Sequence, residues 1–156
     1  MAVYFKIAES RTEFEDAEKL FLEYAKSLNI DLCFQGFDQE LKTLDTQYNQ
    51  PKGALILAYT EDAAVGCVAI RELDNETAEL KRMFVKKDHR KSGIAIRLLE
   101  MVFTKAMQLG YQRIRLDTLP DMQAAQALYR NYGFYEIPSY RFNPVEGVLY
   151  MEKILR

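Results

Sequence analysis

The sequence predicts an α/β fold of the α+β kind, with one mixed β-sheet and helices on both of its faces. Two apolar segments, residues 53–59 and 64–72, are separated by TEDA, which has the length of an antiparallel hairpin turn. Further along, strand-like segments at 78–85 and 113–118 flank a helical pattern at 92–109, the order of a parallel crossover unit. Antiparallel hairpins and a crossover together indicate one mixed sheet covered on both sides.

The first half of the chain supplies one short strand and two helices before the hairpin. Residues 3–7 alternate between apolar and polar, as a short strand does. Ser10 precedes Glu13 in the order of a capping box, which predicts the start of a helix. Apolar residues then recur at steps of three and four, at Phe14, Ala17, Phe21, Tyr24 and Leu28. A shorter helix is expected at 37–44, and residues 45–53, dense in turn formers, are expected to form a loop.

The two helices of the second half are marked by their ends. The helical pattern at 92–109 is followed by Gly110, where a glycine cap belongs. Asp121 is placed to cap a helix over 122–132, and Gly133 is placed to end it. We expect the tail to form strands at 134–137 and 148–154 around a proline-bearing loop.

Composition indicates the class of protein. A chain of 156 residues with 49% hydrophobic residues has the size and core of one domain, residues 1–156. The net charge of −2 argues against nucleic acid as the main partner, and no segment approaches the roughly 18 apolar residues of a membrane span. We therefore expect a cytoplasmic protein with no membrane partner. Cys33 and Cys67 lie in apolar company and are expected to be buried thiols rather than metal ligands.

Residues 90–95, RKSGIA, place positive charge and small side chains directly before a helix. A helix N-terminus exposes unpaired N–H groups and the positive end of the helix dipole, so it attracts phosphate. A bulky side chain at Gly93 or Ala95 would keep a diphosphate away from the backbone. The segment therefore predicts a phosphate-binding turn, although it lacks the GxxxxGK[ST] pattern of a Walker A loop.

The same hexapeptide, R-x-x-G-x-A after the strand AELKRMFV, resembles motif A of the GNAT superfamily of acetyl-CoA-dependent N-acetyltransferases. LYRNYGF at 128–134 resembles the L-Y-x-x-x-G-F signature of that superfamily, and the order of elements is similar throughout the chain. The resemblance implies the GNAT fold, in which a mostly antiparallel sheet is splayed between strands 4 and 5 and flanked by about four helices. Many members are dimers, so it also points to a homodimer.

The resemblance implies an acyltransferase that moves the acetyl group of acetyl-CoA to a primary amine of an unidentified small-molecule or peptide acceptor. Transfer would be direct, in a ternary complex, without a metal. Backbone N–H groups of residues 91–95 would hold the diphosphate, and the main chain of Met83 and Val85 would bind the pantetheine arm. The implied cofactor-binding residues are Met83, Phe84, Val85, Arg90, Lys91, Ser92, Gly93, Ile94, Ala95 and Tyr129.

The resemblance implies two catalytic residues. Tyr129 would protonate the departing thiolate, although a tyrosine at the edge of the core is an alternative interpretation. Glu79 would act as the general base, although Lys81 on the same strand face could instead make it an ion-pair partner. A backbone N–H near Met83 would stabilise the oxyanion.

Two positions depart from the family pattern, and two other functions stay open. Lys91 stands where members often have glycine, and Met122 stands where an asparagine commonly contacts the cofactor. The alternatives are a non-catalytic module that binds acetyl-CoA or CoA and a nucleic-acid-binding domain. The second would use the basic residues Lys81, Arg82, Lys86, Lys87, Arg90 and Lys91. Candidates for the acceptor wall are Phe34, Phe37, Asp38, Glu40, Tyr48, Tyr140, Arg141 and Phe142.

Overall fold

The computed structural model of the chain describes residues 2–28, 36–61 and 63–155. Its strands form one sheet in the order β1-β2-β3-β4-β5-β7-β6. The strands are β1 (Val3–Ile7), β2 (Ala54–Thr60), β3 (Ala63–Asp74), β4 (Thr77–Val85), β5 (Arg113–Thr118), β6 (Tyr135–Ile137) and β7 (Leu149–Ile154). Among these strands β4 and β5 run parallel, and the other neighbouring pairs are antiparallel. The predicted mixed, mostly antiparallel sheet is confirmed.

The described residues form five helices rather than about four. They are α1 (Arg11–Ser27), α2 (Phe37–Lys42), α3 (Leu44–Gln47), α4 (Ile94–Gln108) and α5 (Gln123–Asn131). Three predicted ends are confirmed. Ser10 and Glu13 form a reciprocal capping box at the start of α1, and Gly110 and Gly133 adopt positive φ after α4 and α5.

Two local predictions were wrong. The single helix expected at 37–44 is interrupted at Thr43, and the helical turn α3 occupies part of the expected loop. The Thr43 hydroxyl donates to the Gln39 carbonyl and accepts from Gln47, and such local side-chain bonds compete with a continuous helix. Asp121 is not the cap of α5, because Met122 occupies that position.

The sheet separates two apolar clusters, so the prediction of helices on both faces is confirmed. On one face, Leu98, Leu99 and Val102 of α4 pack on Val68 and Ile70 of β3. On the other face, the helices α1, α2 and α3 cover the same sheet, and Phe21 of α1 and Tyr48 after α3 are fully buried there. Cys67, also buried on this face, is a free thiol as expected, whereas Cys33 lies outside the described residues.

The sheet opens where β4 leaves β5, which confirms the expected splay. The two strands pair only from Thr77 to Glu79 on β4 and from Arg113 to Arg115 on β5. Past Glu79 a bulge interrupts the pairing of β4 with β3, and Arg82 within it has a φ of +58°. A bulge bends its strand and increases the local twist, so it helps to turn β4 away from β5.

No helix within these described ranges combines the length and the apolar character that a membrane crossing requires.

Candidate functional site

The turn before α4 forms an open backbone cradle. Lys91 and Gly93 have positive φ values of +64° and +85°, whereas Ser92 between them does not have a positive φ. The backbone of the turn therefore alternates in handedness. Such alternation turns successive N–H groups toward one point and creates an anion-binding concavity. A Cβ placed on Gly93 would meet no atom within 4 Å, so the space in front of this backbone is open. The first N–H groups of α4 have no partner within the helix and lie in the same turn. The arrangement fits a diphosphate.

Two basic residues, Arg90 and Lys91, stand at the start of the cradle, and Arg90 is held against the end of β4. Its Nε donates to the Val85 carbonyl at 2.8 Å, and its guanidinium lies 5.8 Å from the centroid of the Phe84 ring. Arg90 therefore fastens the turn to the end of β4. Lys91 is exposed in the cradle itself.

The main chain of β4 presents polar groups to the splay. The N–H of Lys86 donates to Val65 on β3, at 2.8 Å. Because neighbouring residues of a strand direct their N–H and C=O groups to opposite sides, those of Met83 and Val85 face the gap beside β5. The carbonyl of Val85 is taken by Arg90, which leaves its N–H and both groups of Met83 for a ligand in the gap.

A cleft passes through the sheet at this gap. Its walls come from α1, β4, β5, the start of α5 and the segment before β7. They are formed by Tyr24, Leu28, Leu80, Lys81, Arg82, Met83, Asp117, Thr118, Leu119, Met122, Ala125, Tyr129, Asn143 and Val148. The cleft connects the face of the cradle with the face covered by α1.

Tyr129 lies in the wall of this cleft and packs against the ring of Phe134 at a centroid distance of 5.4 Å. Burial raises the pKa of its phenol above the ordinary value, and the charges of Tyr24 and Asp117 raise it further. The phenol is therefore protonated at neutral pH. Tyr129 belongs to the core cluster and also lines the cleft, a position that fits either a proton donor or a core-edge tyrosine.

Glu79 is buried completely at the start of the splay, within a cluster of cations. Its Oε1 accepts from Arg71 Nε at 3.1 Å, and its Oε2 accepts from the Tyr140 hydroxyl at 2.9 Å and pairs with Arg141. Burial alone would raise the pKa of Glu79, but the charges of Lys81, Arg141 and Arg71 outweigh burial and hold it below the ordinary value. The carboxylate is ionised at neutral pH, and both of its oxygens have partners.

Lys81 and Asp117 line the cleft from opposite sides, on β4 and β5. Lys81 is only 4% exposed, and burial, together with the charge of Arg82, lowers the pKa of its amine to about 8. Asp117 is half-buried, and its Oδ2 accepts from Asn143 Nδ2 at 3.5 Å.

The basic segment of β4 does not form a positive surface. Successive residues of a regular strand point to opposite faces, but the bulge places both Lys81 and Arg82 on the face of α1, where both are buried. Arg82 donates to both oxygens of Glu40 at 2.9 and 2.8 Å. Outside the strand, Lys86 pairs with Glu23 at 3.6 Å.

The residues expected to line the acceptor site differ in their contacts and in their burial. Tyr140 and Arg141 reach Glu79, whereas Phe142 is 81% exposed. Phe37, Glu40 and Tyr48 are buried, and Asp38 is exposed. Phe34 lies outside the described residues.

Sequence reasoning missed several residues of the cleft, among them three polar ones. Asp117, Asn143 and Thr118 belong to no motif that names them, although the strict alternation of β5 does place Asp117 opposite the apolar core face. The Thr118 hydroxyl is buried and has no hydrogen-bond partner among the described residues. A buried, unpaired hydroxyl in a cleft wall is the kind of group that a bound ligand satisfies.

Comparison with known proteins agrees with this geometry. The model of the acetyltransferase (GNAT) family matches residues 15–134. An uncharacterized N-acetyltransferase of Schizosaccharomyces pombe is 32% identical over 141 residues, which are 89% of this chain and 86% of that protein.

Solved structures share the whole fold. A GNAT-family acetyltransferase from Staphylococcus aureus Mu50 has a TM-score of 0.83 and 26% identity, over 99% of this chain and 100% of that chain. A GNAT-family acetyltransferase from Elizabethkingia anophelis, crystallised with acetyl-CoA bound, has a TM-score of 0.71 and 22% identity, over 98% of each chain. The family model matches most of the chain, the fission yeast protein is 32% identical to it, and the sheet topology agrees. The chain therefore belongs to the GNAT family of acetyltransferases.

Proposed function

We propose that the chain transfers the acetyl group of acetyl-CoA directly to a primary amine within a ternary complex. The observation that carries this proposal is a cleft at the splay, lined from both faces of the sheet and by β4, the strand that leads to the open backbone cradle at residues 91–95. A donor bound by its diphosphate at the cradle can thread its arm into the cleft from one face. An acceptor can reach the same cleft from the other face.

The residues of the splay fit the donor. N–H groups of residues 91–95 would hold the diphosphate, and the carbonyl of Met83 and the N–H of Val85 would pair with the amides of the pantetheine arm. The buried Thr118 hydroxyl would supply a side-chain hydrogen bond where Met122 replaces the usual asparagine. The N–H groups of Ser92, Ile94 and Ala95 would be part of this seat, and the ring of Phe84 contacts Arg90 beside it.

Acetyl transfer from a thioester to an amine requires stabilisation of an oxyanion and two proton transfers. The N–H of Met83 would donate to the carbonyl oxygen as negative charge develops on it. Tyr129 would donate its proton to the departing thiolate, and its raised pKa keeps that proton in place until then.

Glu79 remains the residue proposed to receive the proton of the amine. Its contacts define that role, since both of its oxygens accept bonds from Arg71, Arg141 and Tyr140. A proton would reach it through the Tyr140 hydroxyl or a water rather than directly. A purely structural role for Glu79 is the alternative that mutation must separate from this one.

The cradle is tested by the substitution Gly93→Glu. The new side chain places bulk and negative charge in the diphosphate seat, so we expect it to abolish binding of acetyl-CoA. Wild type at an acetyl-CoA concentration of about a hundred times Kd should gain about 2.7 kcal/mol of stability, visible as a rise in Tm.

Gly110→Glu is a matched control, because Gly110 also has a positive φ and open space around its Cβ position, at the other end of α4. That variant should keep the acetyl-CoA shift. Equal shifts in both variants would contradict the cradle. Binding without release of CoA thiol across a broad panel of amines would favour the non-catalytic module.

A further inference from the structure

We infer that the hydroxyl of Thr118 donates a hydrogen bond to the thioester carbonyl of acetyl-CoA, as a second oxyanion donor beside the N–H of Met83. This inference rests on the proposed acetyl transfer and names the atom of acetyl-CoA that Thr118 reaches. Three observations carry it: the missing partner of the hydroxyl, the two strands that line the cleft, and the face of the sheet that Thr118 shares with Tyr129.

The Thr118 hydroxyl is an unpaired polar group inside the protein. The residue is only 5% exposed, and its Oγ1 has no hydrogen-bond partner in the part of the chain that the structure describes. A buried hydroxyl without a partner costs free energy, and valine would fill the same space without that cost. The position is therefore explained by a ligand that accepts the hydrogen bond.

Thr118 and Met83 line the cleft from the two strands that separate at the splay. Thr118 is the last residue of β5, Met83 belongs to β4, and the two strands no longer pair at these residues. A thioester in the gap would have the Met83 N–H on one wall and the Thr118 hydroxyl on the other. A carbonyl oxygen has two lone pairs and can accept from both donors.

The side chain of Thr118 lies on the same face of the sheet as Tyr129. The strand β5 buries every second residue, Ile114, Leu116 and Thr118, and the first two belong to the apolar cluster under α4. Tyr129 belongs to that cluster and also lines the cleft. In the proposed reaction Tyr129 faces the sulfur of the donor, and the carbonyl carbon is bonded directly to that sulfur. The amides of the pantetheine arm are farther from it, so Thr118 is placed for the carbonyl.

A comparison of two ligands tests which atom the hydroxyl reaches. Acetyl-CoA and CoA share the pantetheine arm and the phosphates, but only acetyl-CoA has the thioester carbonyl. Thr118→Val removes the hydroxyl and keeps the shape of the side chain. We expect Kd for acetyl-CoA to rise roughly 3- to 10-fold, the effect of one ordinary hydrogen bond, and Kd for CoA to stay unchanged. Isothermal titration calorimetry measures both values and requires no knowledge of the acceptor.

The same variant separates an oxyanion donor from a structural threonine. Negative charge develops on the carbonyl oxygen in the transition state, so kcat with the best amine of the panel should fall roughly 100-fold. The Tm of ligand-free Thr118→Val should equal or exceed that of wild type, because the hydroxyl has no partner among the described residues. Thr118→Ser keeps a hydroxyl and should keep both the preference for acetyl-CoA and most of kcat.

Thr60→Val is the matched control. Thr60 is similarly buried, at 6% exposure, but it lies on β2, which β3 separates from β4 and the cleft. The substitution makes the same chemical change, and the variant should bind acetyl-CoA and CoA as wild type does, with the same kcat.

The outcomes distinguish the two levels of proposal. Equal weakening of acetyl-CoA and CoA by Thr118→Val would place the hydroxyl on the pantetheine arm, which overturns the inference and leaves the acetyltransferase proposal standing. A lower Tm of the ligand-free variant with both Kd values unchanged would make Thr118 a structural residue and also overturns it. Failure of the wild-type chain to bind acetyl-CoA counts against the proposed function itself.

Discussion

At the scale of single residues, the sequence predicted the backbone site at residues 91–95 better than it predicted the side-chain contacts of Glu79. The cradle at Lys91 and Gly93 follows from small residues before a helix, a local pattern that the sequence displays. The environment of Glu79 does not follow from a local pattern. Arg71 approaches it from β3, and Arg141 approaches it from a loop that lies 62 residues later in the chain (141 − 79). Such partners are brought together only by the complete fold, so the sequence predicted the strand neighbour Lys81 and missed the arginines.

Glu79→Gln tests whether this carboxylate is a base or a structural ion. In either role the change leaves Arg71 and Arg141 without their shared anion. We expect a loss of roughly 2–3 kcal/mol, at or below the usual cost of breaking a buried pair, because both arginines keep a quarter or more of the side chain exposed. If Glu79 is the base, kcat should also fall, and most at low pH, where free amine is scarce.

Glu152→Gln is the matched control for that experiment. Glu152 is also buried and bound by an arginine and a tyrosine, Arg115 and Tyr135, but it lies on β7, which β5 separates from the strand of Glu79. It should lower the free energy of unfolding without changing the pH profile of kcat. If Glu79→Gln gives the same unaltered profile, Glu79 is a structural ion and not the base.

At the scale of elements, helices with strong periodicity were predicted well and irregularities were not. The ends of α1 and α4 were marked by a capping box and a glycine. The bulge in β4 has no such signal, since an arginine at positive φ is uncommon and nothing in KRM indicates one. Arg82 holds this conformation while both oxygens of Glu40 bind its guanidinium, so α2 and the bulge support each other.

Glu40→Gln tests that mutual support. The change leaves the buried guanidinium of Arg82 without its anion, so we expect a loss of about 3–5 kcal/mol in the free energy of unfolding, measured by urea titration. Glu23→Gln breaks an exposed pair with Lys86 and should cost about 1 kcal/mol or less. Similar losses in the two variants would mean that the Arg82 pair contributes little to the attachment of α2.

At the scale of the whole molecule, the sheet is a continuous scaffold that is open at one place. Strand pairing is continuous from β1 to β4 and from β5 through β7 to β6, whereas β4 and β5 pair only at one end. The cradle, the cleft and the charged groups lie at the gap between these two parts of the sheet. The resemblance to the GNAT superfamily, carried by the motifs at 90–95 and 128–134 and by the order of elements, implied the opening between β4 and β5. The contents of the acceptor face were not predictable, because they come from α1, β3, β5 and the loop before β7.

The charged groups spread across this scaffold make the stability of the whole fold sensitive to acid. The side-chain bond from Lys6 and backbone bonds from Ser10 and Glu9 lower the pKa of Glu13 to about 2. Cations hold the pKa of Glu79 below the ordinary value despite burial, and hydrogen bonds from Tyr135 and Arg115 do the same for the pKa of Glu152. A carboxylate with a lowered folded pKa stabilises fully above its unfolded pKa of about 4.5 and loses that contribution as pH falls. We therefore expect Tm to be nearly constant from pH 7 to 5 and to fall steadily from pH 5 to 2.

The contribution of one carboxylate can be isolated in the same measurement. Glu13→Gln removes the group that caps α1 and pairs with Lys6, at 2.5 Å. Its Tm should lie below that of wild type at pH 7, and the two values should converge toward pH 2, because wild-type Glu13 is then becoming protonated. A Tm difference that stays the same from pH 7 to 2 would show that the charge of Glu13 contributes nothing. In that case the cap would stabilise the fold through its hydrogen-bond geometry, which glutamine partly reproduces.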